Sequence, residues 1–186
     1  MNLVSRAKAI LMTPRQEWAA IDAEPLNTPA LLTGYVIPLA LIGPVARFIG
    51  FSVLGMGGLF RISMGSGISY AIVSFILAIV GVFVLAWVIN VLASNFGATQ
   101  SMPQAIKLSA YSMTAAWVAG IFFLIPALSI LAIIGGLYSL YLFYVGLPIL
   151  MKSPADKTTT YAVVVIVSTI VLYFIVGAIT SRVGYM

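Results

Sequence analysis

The sequence predicts an all-α membrane protein: five transmembrane helices preceded by a short amphipathic helix. Hydrophobic residues make up 62% of the chain and charged residues only 7%, where a soluble domain carries about 25% charged residues. The mean hydropathy is +1.16. A water-soluble fold of this length cannot bury that much apolar surface, whereas a bundle of transmembrane helices has lipid as its outer solvent. Composition therefore indicates a polytopic membrane protein.

The N-terminal segment, residues 1–27, is predicted to lie at the membrane interface. In residues 2–12 the apolar side chains share one helical face and the charged ones point away from it: Leu3, Ala7, Ile10 and Leu11 against Arg6 and Lys8. A basic amphipathic helix ahead of a membrane span commonly lies in the interface.

A second short helix is predicted to follow and to end before Pro25. Thr13 and Gln16 are spaced as a capping box, with Pro14 at the first helical position. Trp18 and Arg15 are predicted to place this helix at the level of the lipid headgroups. A partner-binding helix is the alternative interpretation.

The membrane domain is predicted to cover residues 28–182, with spans at about 29–51, 68–93, 105–125, 127–147 and 161–180. The third and fourth spans are separated by Pro126 alone, which predicts an antiparallel hairpin. Residues 52–67 are glycine-rich and are predicted to form a flexible or partly re-entrant connection. The Val- and Ile-rich fifth span is assigned as a helix because a lone strand in lipid would leave its backbone unpaired.

Several polar residues within the spans are candidate functional residues. Arg47 is predicted near the far end of the first span, where it reaches the headgroups or forms a polar site inside the bundle. Asn90 is predicted to make an interhelical hydrogen bond, and Lys107 lies at the entry of the third span.

Aromatic residues of the fourth span form a stripe. Tyr141, Tyr144 and Pro148 share one helical face. Aromatic packing and an interfacial belt explain this pattern, and a stripe that lines a substrate or cation path is the alternative.

The residue inventory excludes much chemistry. The chain has no Cys and no His, which removes thiolates, the commonest metal ligand and the commonest general base. The only aspartates, Asp22 and Asp156, lie in predicted aqueous segments. We therefore predict no catalytic residue, no metal site, no cofactor and no enzymatic activity. The net charge of +5 forms no basic cluster that would follow a nucleic acid backbone.

The distribution of Lys and Arg predicts the orientation. With the N-terminus inside, the inner segments hold Arg6, Lys8, Arg15, Lys107, Lys152 and Lys157, and the outer segments hold Arg47, Arg61 and Arg182. This asymmetry predicts a cytoplasmic N-terminus and an external C-terminus.

A series of short motifs from residue 97 onward resembles the YIP1 family of five-span membrane proteins in its bacterial form. The motifs are Gly97, Gln104–Lys107, Ala110–Ser112 with Tyr111, Tyr138–Leu142, Gly146–Pro148, Met151, Pro154, Lys157 and the Tyr161–Val165 start of the last span. Pro14, Glu17 and Trp18 near the N-terminus add to the resemblance.

This resemblance implies a five-helix fold with a cytoplasmic N-terminus. It identifies no catalytic residues. Eukaryotic relatives contact small GTPases, but this chain lacks their long N-terminal region and its acidic motif, so GTPase binding is not transferred to it.

Two functional hypotheses follow for a protein of the bacterial inner membrane. The first is a non-enzymatic protein that organises the membrane or its partners, including further copies of itself, through helix–helix and lipid contacts. The alternative is a small transporter or channel with a polar path near Arg47, Asn90 and Tyr141.

Overall fold

The computed structural model describes residues 2–55 and 61–183, and every regular element in that part of the chain is helical. Two short helices, α1 (Leu3–Met12) and α2 (Pro14–Ala23), form an N-terminal hairpin. Four helical segments long and apolar enough to cross a membrane follow, namely Thr28–Leu54, Met64–Phe96, Met102–Leu124 and Leu131–Leu150. The last helix, Ala155–Val183, supplies the fifth. The predicted all-α, five-span fold is confirmed.

The fourth span begins later than the sequence predicts. Pro126 is followed by a 3-10 turn, Pro126–Leu128, and the helix starts only at Leu131 instead of residue 127. It then continues past Pro148 to Leu150. The connection after the third span is therefore several residues longer than the single proline that was predicted.

The first span departs from α-helical geometry on both sides of its central helix, Ile37–Phe48. Leu32–Val36 and Ile49–Leu54 are π-helical. The first of these segments precedes Pro38. Proline has no N–H to donate to the carbonyl four residues before it, and the wider π-helical turn accommodates this missing hydrogen bond.

The third span is interrupted near Met113, between helices Met102–Ser112 and Thr114–Ala119. Side-chain hydroxyls satisfy the backbone around this break. Thr114 donates to the carbonyl of Tyr111 (2.7 Å), and the hydroxyl of Ser139 in the fourth span accepts from the N–H of Ala116 (2.9 Å). The fourth span thus supplies a hydrogen bond that the broken helix lacks.

The first and third spans pack backbone against backbone. A Cβ atom added at Gly120 would lie 2.7 Å from the Cα of Gly43, and one at Gly50 would lie 2.1 Å from the carbonyl oxygen of Phe123. The absence of a side chain at Gly43, Gly50 and Gly120 therefore permits this close approach. They serve contacts within the chain.

The N-terminal hairpin packs into the bundle, a contact that the sequence did not predict. Ile10, Trp18 and Ile21 are fully buried and belong to the core of the bundle. The predicted capping box is also wrong: the Thr13 hydroxyl donates back to the carbonyl of Ala9 and caps nothing in α2. Tertiary packing against the fourth span determines where α2 lies.

The outward faces of the second and fourth spans carry exposed apolar side chains, as lipid contact requires. Examples are Val73, Leu77, Trp87, Ile133 and Leu137. The side chain of Arg182, and residues 56–60 of the glycine-rich connection, lie outside the part of the chain that the structure describes.

Candidate functional site

A buried lysine caps the C-terminal end of α2. The ammonium group of Lys107, which is only 4% exposed, donates to the carbonyls of Ile21 (2.7 Å), Asp22 (3.3 Å) and Glu24 (2.7 Å). The last carbonyls of a helix have no intrahelical partner and carry its negative dipole end. Lys107 supplies both the hydrogen bonds and the positive charge that this helix end needs.

A buried arginine joins α1 to α2. One amino group of Arg6 donates to Glu17 (2.5 Å) and the other to Glu24. Its guanidinium carbon also lies 5.7 Å from the ring centroid of Tyr111 in the third span. Burial lowers the pKa of Arg6, but the hydrogen bond to Glu24 and the nearby acidic charges outweigh that effect, so its pKa lies above the ordinary value. The guanidinium therefore stays charged.

Asp22 connects the end of α2 to two spans. Its carboxylate accepts from Gln104 at the start of the third span (2.8 Å) and from Lys152 just after the fourth span (2.5 Å). Six charged side chains thus lie together where the hairpin meets the bundle, and we call them the charge network: Arg6, Glu17, Asp22, Glu24, Lys107 and Lys152. Three of the four acids in the chain are in it.

Trp18 occupies a groove on the fourth span that exists because residue 146 is glycine. A Cβ atom at Gly146 would lie 2.6 Å from Cε2 of Trp18 and 2.7 Å from Cδ1 of Leu108. The buried indole N–H has no hydrogen-bond partner among the described residues. Shape complementarity, and no polar contact, holds this ring in place.

Tyrosines of the spans contact the hairpin through ring packing and one hydrogen bond. The ring of Tyr111 packs against Tyr35 (4.7 Å between centroids) and against the edge of Trp18 (6.4 Å). Tyr35 shares a hydrogen bond with Thr114 (2.8 Å), and Tyr138 donates to the carbonyl of Leu11 (2.7 Å). Tyr111 and Tyr138 are therefore positioning residues for α1 and α2.

A cavity of about 230 Å³ lies beside the charge network. It is bounded by α1, the link after α2, the start of the first span and the third span, and its lining includes Arg6, Glu24, Asn27, Lys107 and Tyr111. Since each of its charged groups already has a partner, the arrangement suits rigid positioning better than acid–base chemistry. The described residues contain no group of three or more metal-ligating side chains.

The three residues proposed for a transport path do not meet. Arg47 lines a cavity that neither Asn90 nor Tyr141 lines. The Tyr141 ring is 45% exposed on the outer face of the fourth span. The side-chain oxygen of Asn90 does not form the predicted interhelical hydrogen bond: it is buried and has no partner among the described residues.

The remaining residues singled out in the sequence lie at the same end of the bundle as the hairpin. Gly97 has φ +68°, a left-handed conformation that favours glycine, at the end of the second span. Tyr144 and Thr159 share a hydrogen bond (3.2 Å), and Pro148 is partly buried in the last turns of the fourth span. Lys157 and Arg15 are exposed.

Sequence reasoning missed most of the charge network. Arg6 was predicted to point away from the apolar face of its helix, yet it is 5% exposed and lies on the buried face beside Ala7 and Ile10. The signal that pointed to the network was the acidic composition of α2 and the link after it: Glu17, Asp22 and Glu24 are three of only four acids. Concentrated acids in so apolar a chain indicate fixed basic partners.

The importance of Glu17 to the network can be measured. We expect Glu17→Gln to lower the free energy of unfolding by about 2 kcal/mol, since it removes a charged hydrogen bond from a buried guanidinium. Glu24→Gln is the matched control because its side chain is 48% exposed against 11% for Glu17. Its effect should be below about 1 kcal/mol. Reversible unfolding in mixed detergent micelles measures both, and equal effects would contradict this assignment.

Five spans, a docked N-terminal hairpin and a charge network at one end define a polytopic α-helical membrane protein. The Yip1 domain family model matches residues 8–179, and the chain belongs to that family. It is 24% identical over 166 residues to the inner membrane protein YohC of Escherichia coli strain K12, an alignment that covers 86% of this chain and 85% of the relative. YohC of Escherichia coli O6:H1 matches equally well. No solved structure matches the chain significantly.

Proposed function

We propose that this protein is a non-enzymatic organiser of the bacterial inner membrane, acting through contacts with lipid and with other membrane proteins, further copies of itself included. The observation that carries the proposal is the state of its buried charges. Arg6 and Glu17 pair with each other inside the hairpin, and Lys107 of the third span binds the carbonyls at the end of α2. This leaves an inert, rigid body with apolar outer faces.

Cysteine cross-linking in native membranes tests this function, and the chain has no cysteine of its own. Ile133→Cys and Leu137→Cys place a thiol on the outer face of the fourth span, where the native side chains are 60% and 62% exposed. We expect disulfide-linked dimers at such positions and none at the control Leu142→Cys, which is fully buried. Monomers alone at every outward position of the second and fourth spans would count against self-association.

We infer that the hairpin end of the bundle faces the cytoplasm. The bases Arg6, Lys107 and Lys152 lie at that end in the charge network, whereas at the opposite end Arg47 lies near the end of the first span and Arg61 just before the second. An excess of Lys and Arg marks cytoplasmic segments.

Orientation can be read from thiol labelling of intact cells. A membrane-impermeant maleimide should label Ser63→Cys, which precedes the second span at the outer end, and should leave Asn95→Cys unlabelled until the cells are opened. Both positions are exposed, so the pair differs only in the side on which it lies. The reverse labelling pattern would overturn the inferred orientation.

A small transporter or channel remains the second candidate, and the cavity of about 200 Å³ at Arg47 is the observation that favours it. A flux screen over ions and small metabolites in reconstituted vesicles tests it, with Arg47→Ala as the control variant. A flux that the substitution abolishes would replace the organising function with transport.

A further inference from the structure

Arg47 is held between three aromatic rings at the end of the bundle opposite the hairpin. Its guanidinium carbon lies 4.6 Å from the ring centroid of Tyr70, 5.1 Å from that of Phe51 and 5.7 Å from that of Phe123. These rings come from the first, second and third spans, and each attracts the cation through its π face. The guanidinium is therefore fixed in position by the packing of three helices.

This cation has no counter-charge among the residues that the structure describes. Within the part that the structure describes, Arg47 forms no salt bridge and donates no hydrogen bond. The four acidic side chains of the protein all lie at the other end of the bundle: Glu17, Asp22 and Glu24 in the charge network and Asp156 in the first turn of the fifth span. Phe123 follows Lys107 by sixteen residues along the third span, a separation of about 24 Å at the rise of an α-helix.

A cavity of about 200 Å³ opens beside the guanidinium. Its polar lining comes from Arg47, Tyr70 and Ser74, whereas most of its wall is apolar and includes Pro44 and Trp117. A polar end and an apolar body suit an amphiphile that carries an anionic group. A guanidinium with all its donors available matches a phosphate best, because its planar fork can bind two phosphate oxygens at once.

We propose that Arg47 binds the phosphate group of a phosphate ester, and that the apolar cavity wall favours the headgroup of an anionic phospholipid over a soluble phosphate ester. The three rings orient the guanidinium, and the ligand supplies a negative charge that no described residue provides at this depth. This site goes beyond the proposed organising function and stands independently of it.

Calorimetry on the full chain in neutral detergent measures the binding of three related ligands. Their affinities distinguish the contribution of the phosphate from that of the acyl chains. Dihexanoyl phosphatidylglycerol carries both the phosphate and the acyl chains, dihexanoylglycerol the chains alone, and glycerol phosphate the phosphate alone. We expect the phospholipid to bind at least about tenfold more tightly than dihexanoylglycerol, as loss of a charge-assisted contact predicts. Glycerol phosphate binding of equal strength would support the phosphate site and assign it to soluble esters.

Substitutions locate the binding. Arg47→Gln should weaken phosphatidylglycerol binding about tenfold or more, and Arg61→Gln, at an exposed arginine of the same end of the bundle, should leave it unchanged. Equal affinity of Arg47→Gln and the native protein, or equal losses in the two variants, would overturn the proposal. If Arg47→Gln does not fold, the native protein still decides, since dihexanoylglycerol binding as tight as that of the phospholipid also overturns it.

Discussion

Lys107→Met should release the N-terminal hairpin from the bundle and lower the free energy of unfolding by about 3 kcal/mol. The ammonium group makes three hydrogen bonds to backbone carbonyls at the end of α2. Methionine has a comparable apolar stem but no donor, so these carbonyls would remain in a buried site with reduced hydrogen bonding. The lost dipole interaction at the end of α2 adds to the cost.

Two measurements distinguish this outcome from general destabilisation. Unfolding in mixed micelles measures the loss in the free energy of unfolding. Lys152→Met is the control, because Lys152 is 55% exposed and its ion pair should contribute less than about 1 kcal/mol. Maleimide labelling of Ile21→Cys reports the docking of α2 directly, since Ile21 is fully buried. Slow labelling at this position in the Lys107→Met background would show that the lysine does not hold α2.

Gly146→Val should displace α2 as well, by a steric route. The first added carbon atom would lie 2.6 Å from the Trp18 ring, so the ring or the whole helix must move. Overpacking of this kind costs about 2–3 kcal/mol. We expect a fall of that size in the free energy of unfolding and faster labelling of Ile21→Cys.

The fourth span offers a matched control for this prediction. A Cβ atom at Gly136 meets nothing within 4 Å, so Gly136→Val should be neutral or slightly stabilising because valine has the higher helix propensity. Combining Gly146→Ala with Trp18→Phe should recover part of the stability lost in Gly146→Ala alone, since the smaller ring makes space. Equal losses from Gly146→Val and Gly136→Val would rule out the groove as the cause.

The spans were predictable because lipid imposes a strong rule on sequence: each crossing needs a long apolar helix whose backbone groups pair internally. The small residues at Gly50 and Gly120 were predictable as close-packing positions for the same reason. Their partners were not, because the packing of Gly120 on Gly43 depends on how the spans are arranged. Helix ends next to proline, such as the start of the fourth span, were displaced by local turns.

The charge network escaped prediction because it is held together by contacts between distant parts of the chain. Helical periodicity suggested that Arg6 faces away from the apolar surface, yet a guanidinium can be buried when two carboxylates meet it, as Glu17 and Glu24 do. Lys107 was noticed at the entry of its span, but nothing in its neighbourhood along the chain indicated that it caps a helix more than eighty residues earlier.

These long separations determine when the hairpin can settle during biosynthesis. Helices α1 and α2 leave the ribosome first, but Lys107 and Lys152 follow 85 and 130 residues after Asp22. Until the third and fourth spans have entered the bilayer, the carbonyls at the end of α2 lack Lys107 and the Asp22 carboxylate lacks Lys152. Both lysines then remain available to the insertion machinery as signals of orientation. The same cations would then guide insertion first and fasten the N-terminus afterwards, which makes docking of the hairpin a late step of assembly.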